Sequence, residues 1–209
     1  MVTKPDTPIG RHQIITPPYI KEWAKIKNIK VLQPQSLKKE YLDKEENKEL
    51  KEQLLRSDIN IHIVASYGKI IPEYLLNIPS AGFINIHPSD LPQYRGASPI
   101  QYALLDGKKE IFVTIMKLNK DMDEGDILIQ QPLFIEGNDN THTLEIKSGQ
   151  IGGELIYKIL EAIINNNIKS ITQDHNKATY TKMIDKNMGE ISLNDNIEII
   201  KNKYRAFTP

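Results

Sequence analysis

The 209-residue chain carries 27 Lys and Arg against 27 Asp and Glu, 39% hydrophobic residues and no cysteine. Zero net charge excludes a surface that is basic throughout, as coating nucleic acid or an anionic membrane would need, and the lack of thiols excludes disulfides, thiolate nucleophiles and cysteine-ligated metals. No apolar run approaches the ~20 residues of a membrane span, and the polar, proline-containing start does not read as a signal peptide, so a soluble cytoplasmic protein is expected.

Residues 1–16 carry Pro5, Pro8 and Gly10 without periodic apolar positions and read as a loop. Pro17 and Pro18 open a helix through Trp23 and Ile26, and residues 29–32 form a short strand stopped by Pro34. A charged helix over 47–56 presents Leu50, Leu54 and Leu55 as its buried stripe. Residues 59–65 and 82–87 are apolar, β-branched runs suited to strands covered on both faces, as in parallel sheets, and the second ends at Pro88. Ser98-Pro99 begins a helix that Gly107 closes. Residues 111–118 and 127–135 read as strands separated by an acidic turn, and 143–165 as a long helix with Ile151, Leu155, Ile159 and Ile163 spaced by four. A short strand near 168–173 and a helix over about 195–205 complete the chain. Helices alternating with apolar strands predict an open α/β sheet, an architecture that by itself names no reaction.

Common catalytic templates fail. A phosphate loop around Gly68-Lys69 would need Gly at 63 and Ser or Thr at 70, where both residues are Ile. The acidic turn from Asp121 starts like a calcium loop, but the twelfth position, which should supply a bidentate Glu, is Pro132. No His-Glu-x-x-His or Gly-x-Ser-x-Gly pattern occurs. One constellation remains. Asn85 and His87, two apart on a strand, emerge on one face near its C-terminal end, where open α/β sheets bind ligands. Asp123, at the tip between two later strands, can reach the same edge. An amide donor, an imidazole and a carboxylate suit acyl transfer: the amide steadies an oxyanion, the imidazole moves a proton and the carboxylate orients it. A strand-end Asn and His that merely cap a turn, with a solvated acidic loop nearby, fit the spacing as well.

The segment Asn85-Ile86-His87-Pro88-Ser89-Asp90-Leu91-Pro92-Gln93-Tyr94-Arg95-Gly96 resembles the signature of the 10-formyltetrahydrofolate-dependent formyltransferases, and Met122-Asp123-Glu124-Gly125-Asp126 resembles their second motif. The resemblance implies an open, mostly parallel, Rossmann-like sheet flanked by helices, catalysis by Asn85, His87 and Asp123, and a formyl-site loop containing Ser89, Leu91, Pro92, Tyr94, Arg95 and Gly96. Tyr94 and Arg95 either brace that loop or touch ligand. It implies 10-formyltetrahydrofolate as donor and no metal.

Within the family, 4–11 (Lys-Pro-Asp-Thr-Pro-Ile-Gly-Arg), 31–34, 97–101, 113–116 and 205–209 are similar to the members that formylate methionyl-initiator tRNA. On that reading Lys4 and Arg11 belong to a tRNA-gripping loop, Arg11 meeting a phosphate, and the protein is a monomer acting in translation initiation. A solvated loop residue is the other reading of Arg11. An amino-sugar-nucleotide N-formyltransferase, or an inactive fragment of a formyltransferase, are the alternatives. The resemblance also implies that residues 1–189 are a catalytic domain lacking a first strand and helix of roughly 30 residues. Residues 190–209 are then a linker, or the start of a C-terminal β-barrel domain. Asp90 stands where the family usually has Leu, and His12-Gln13 where more basic residues are common.

Overall fold

In the computed structural model, which describes residues 1–56, 58–192 and 194–208, two units cluster separately: Met1–Asp58 with Tyr67–Ile78, and Ile59–Ser66 with Pro79–Pro209. The first begins with a hairpin. Thr7–Ile9 (β1) pairs antiparallel with Ile14–Thr16 (β2), Thr7 opposite Thr16, across a turn with Gly10 at φ +70°. The loop expected over 1–16 is corrected here; β1 is exposed along its whole length, so no buried alternation marks it as a strand. Helix α1 (Tyr19–Ile26) follows Pro18 as expected and buries only Ala24. The strand expected at 29–32 is reduced to one parallel bridge, Val2 to Leu32. Short helices α2 (Lys39–Leu42), α3 (Lys48–Leu54) and α4 (Glu73–Leu76) bury Leu42, Leu54, Leu75 and Leu76.

The second unit holds the open α/β sheet. Its strands are β3 (His62–Ala65), β4 (Phe83–His87), β6 (Glu110–Lys117) and β7 (Ile127–Phe134), ordered β3-β4-β6-β7. The short β5 (Arg95–Gly96) pairs elsewhere, in parallel with β8 (Tyr180–Thr181). The parallel order expected from the apolar runs is met at β3–β4, whereas β4–β6 and β6–β7 run antiparallel. A run buried on both faces does not encode the direction of its neighbour, and the acidic turn folds β7 straight back onto β6. β3 forms one edge, with Ile63 about half exposed.

Helices α5 (Pro99–Leu105), α6 (Thr141–Ile164) and α7 (Ile197–Phe207) complete this unit. Ile84, Leu104, Val113, Ile115 and Leu144 are buried to 0% exposure in one core, each of the larger side chains worth roughly 1.5–3 kcal/mol. Ser98 stands at the expected N-cap of α5, but its side chain makes no capping bond. The α6 start is better secured: Asn140 Oδ1 accepts from Thr143 N at 2.9 Å, while Thr143 Oγ1 accepts from Asn140 N at 3.0 Å. The segment 168–173 is no strand; only Ile171 pairs, with Ile127. Within 190–209, the expected linker, α7 joins the same core through Ala206, whose carbonyl accepts from Thr141 Oγ1 at 2.7 Å. Pro209, in the motif segment 205–209, and Leu193 lie outside the described residues.

Candidate active site

Strand alternation on β4 sorts the site from the core. Ile84 and Ile86 pack into the core that includes α6, and Asn85 and His87 take the opposite face. Asn85 is half-buried and His87 is 4% exposed. Pro88 cannot continue the ladder, so the chain leaves the sheet directly after His87.

The loop that follows is bolted to the sheet. Thr114 Oγ1 donates to the Ser89 carbonyl at 2.6 Å, Ser89 Oγ to the Gln93 carbonyl at 2.8 Å, and Gln130 Nε2 to the Leu91 carbonyl at 3.2 Å. Leu91 packs with Met116 and Ile127. These bonds deliver the Tyr94 carbonyl to His87 Nε2 at 3.0 Å. A carbonyl only accepts, so Nε2 carries the proton and Nδ1 is the nitrogen left for chemistry. The Tyr94 hydroxyl donates to Asp106 Oδ2 at 2.7 Å, and burial together with that carboxylate raises its pKa.

Asp123 arrives from the β6–β7 turn in a left-handed conformation, φ +52°. Its Oδ2 accepts the Gly96 N–H at 2.8 Å and lies 3.8 Å from His87 Nδ1. Both ring nitrogens of His87 therefore face acceptors, a carbonyl on one side and a carboxylate on the other. The expectation that Asp123 holds His87 needs refinement: its short hydrogen bond goes to the Gly96 amide, which fixes the carboxylate within reach of the ring. Such a pair can shuttle a proton and stabilise charge developing beside Nδ1.

Arg95 is wholly buried and braces the loop, meeting Glu124 Oε1 at 2.8 Å, the Tyr180 hydroxyl at 3.2 Å and Gln173 Oε1 at 2.8 Å. Glu124 was visible in the motif without a role; Gln173 and Tyr180 carry no local signal, because they meet Arg95 from 78 and 85 residues away. Pro92 and Gly96 are half-buried in the same loop. Asp90 is half-buried too, and burial raises its carboxyl pKa; with Gln93, Tyr94, Lys108, Phe112 and Phe134 it lines a cavity of about 490 Å³ that includes none of Asn85, His87 and Asp123. Lys4 and Arg11 lie in the first unit, both exposed, Arg11 in the turn between β1 and β2. Among the described residues no group of three or more His, Asp or Glu is placed to hold a metal ion, and no helix is long and apolar enough to cross a membrane.

An imidazole set between a carboxylate and a carbonyl at the end of a strand in an open α/β sheet is an arrangement suited to acyl transfer. The chain belongs to the formyl transferase family, whose sequence model matches residues 1–160. It is 44% identical over 206 residues to the methionyl-tRNA formyltransferase of Caldicellulosiruptor saccharolyticus, covering 99% of this chain and 63% of that protein. The chain spans 63–65% of the length of the curated relatives it matches. Among solved structures it is similar to an N-formyltransferase from Helicobacter canadensis in complex with folinic acid and dTDP-3-aminofucose, with TM-score 0.72, 22% identity, and coverage of 98% of this chain and 68% of that one. It is also similar to the methionyl-tRNA formyltransferase from Clostridium thermocellum, with TM-score 0.61, 22% identity, and coverage of 88% and 75%. At these identities the two structures speak for the fold.

Proposed function

We propose that the chain transfers a formyl group from 10-formyltetrahydrofolate to the α-amine of methionyl-initiator tRNA, the formylation that precedes translation initiation. The observation that carries this reading is the His87–Asp123 pair, 3.8 Å apart beside Asn85 on β4, in a chain 44% identical to a methionyl-tRNA formyltransferase along nearly its whole length. The neutral amine attacks the formyl carbon and forms a C–N bond, giving a tetrahedral oxyanion. Asn85 donates from its amide and His87 from protonated Nδ1 to that oxygen, since Nε2 is committed to the Tyr94 carbonyl. Asp123, fixed by the Gly96 N–H with its Oδ2 3.8 Å from Nδ1, balances the positive charge on the ring and passes the amine's proton, through water, towards N10 of the folate. The C–N10 bond then breaks, leaving tetrahydrofolate and formyl-methionyl-tRNA. Arg11 and Lys4 meet acceptor-stem phosphates, contacts that position the tRNA without reading its sequence.

The other reading is an amino-sugar nucleotide as acceptor, the ligand class held by a fold neighbour of the chain. The experiment is an acceptor screen. The chain is incubated with 10-formyltetrahydrofolate labelled in the formyl carbon and either charged initiator tRNA or a dTDP-linked amino sugar. Label recovered on methionine supports the tRNA reading. Label on the sugar alone transfers the chemistry to the other acceptor, and label on neither overturns the function.

A further inference from the structure

Gln173 is 4% exposed and joins Arg95 to the turn that carries Asp123. Its Oε1 accepts from Arg95 Nε at 3.1 Å and Nη2 at 2.8 Å, and its Nε2 donates to the carbonyls of Asp123 at 2.8 Å and Gly125 at 2.7 Å. The partners dictate this orientation of the carboxamide. A guanidinium only donates and a carbonyl only accepts, so a flipped amide would lose all of these bonds. Arg95 is itself immobilised by Glu124, 2.8 Å away, with a buried guanidinium. The segment bearing Gln173 is strapped to the start of β7: Ile127 and Ile171 exchange backbone hydrogen bonds of 2.9 and 2.8 Å, and the Ser170 and Thr172 hydroxyls donate to Asp126 at 2.9 and 3.1 Å.

We propose that Gln173 is a positioning residue for formyl transfer, an inference that rests on the function proposed above. It ties down the carbonyls on both sides of Glu124 and so holds Asp123 in its left-handed conformation, with the carboxylate between the Gly96 N–H and His87 Nδ1. Asp enters the left-handed region more readily than most residues, so at φ +52° it can also leave it, and the two donated hydrogen bonds select this conformation over the alternatives. Releasing them lets the turn relax and carries the carboxylate away from the ring. Displacement of a catalytic group by about 1 Å costs on the order of 10²-fold in rate.

Two substitutions test this. Gln173→Glu keeps an acceptor for Arg95 but faces two carbonyls with no donor; Gln173→Met keeps the volume and neither function. In the ¹⁵N-labelled 209-residue chain, the Gly96 amide resonance reports directly on its bond to Asp123. Gln173→Glu is expected to move that resonance in the same direction as Asp123→Asn, with the core amides of Leu104 and Ile115 unmoved. In turnover it should lower kcat on the order of 10²-fold and leave the KM for the folate unchanged. A Gly96 resonance at its original place in Gln173→Glu, or undiminished kcat in either variant, overturns the proposal. If the unsubstituted chain transfers no formyl group to any acceptor, the proposed function fails, and the resonance comparison still decides what Gln173 holds.

Discussion

Gly125 lies flat against Lys117: a Cβ on Gly125 would fall 1.9 Å from the Lys117 carbonyl oxygen and 2.9 Å from its carbon. No side chain fits there unless the backbone moves, because the obstruction is a peptide group of β6. The same Gly125 offers its own carbonyl to Gln173, so the close approach and the placement of Asp123 belong to one turn. Gly125→Ala is expected to reduce formyl transfer on the order of 10²-fold and to destabilise the chain by about 1–3 kcal/mol. Parallel turnover assays and urea melts check both numbers.

Helix α6 presses on β4 at Gly152, where an added Cβ would sit 2.6 Å from Ile86 Cγ2. Ile86 separates Asn85 from His87, so crowding at this point is felt on the site strand. Gly152→Ala is expected to cost about 1–3 kcal/mol through overpacking. Gly149, on the same helix, has nothing within 4 Å of its Cβ position, and Gly149→Ala should stabilise by about 0.5–1 kcal/mol by restoring helix propensity. Urea midpoints of the two variants should move in opposite directions.

Asp139, 3% exposed, secures the entry to α6. Its carboxylate accepts from Glu136 N at 2.8 Å, Thr143 Oγ1 at 2.8 Å and Lys147 Nζ at 2.9 Å. Burial alone would raise its pKa, but the three donors outweigh burial and hold it below the ordinary carboxylate range. A carboxyl depressed by folding stabilises the folded state fully above its unfolded pKa of ~3.9, and this contribution is lost as pH falls through the lower folded value. Asp139→Asn should therefore cost about 1–3 kcal/mol at neutral pH and make stability fall less steeply below pH ~4. Urea titrations between neutral pH and pH ~3 measure the difference.

Arg11, exposed in the turn of the β1–β2 hairpin, is expected to serve tRNA affinity and not the chemical step. Arg11→Ala should raise the apparent KM for charged tRNA and reduce the slope of log affinity against log salt by about one, as loss of one phosphate contact does. An unchanged slope would leave Arg11 a solvated loop residue.

Asn85 and His87 were legible in the sequence because strand alternation places residues two apart on one face, and Pro88 marks where the strand must stop. Asp123 was legible as the tip of an acidic turn between two strands. The division of labour around them was not. His87 Nε2 is committed to the carbonyl of Tyr94, a backbone atom that no side-chain pattern encodes. Gln173 reaches Arg95 across 78 residues and sits in a segment too irregular to form the strand expected there. The β1–β2 hairpin escaped because Ile9, Ile14 and Ile15 are all exposed, so hydrophobic periodicity has nothing to register. Antiparallel pairing of β4 with β6 escaped for a related reason: burial on both faces fixes a strand's composition and not its direction.

The most direct test of the proposed catalytic pair is the single-turnover rate of formyl transfer at saturating 10-formyltetrahydrofolate, with folate affinity measured alongside. It compares the unsubstituted chain with His87→Ala and Asp123→Asn. Positioned acid–base groups contribute ~10²–10⁴-fold, so each variant should lose that much rate while binding folate as before. Either variant transferring the formyl group at a near-normal rate would contradict the assignment of His87 and Asp123 as the catalytic pair.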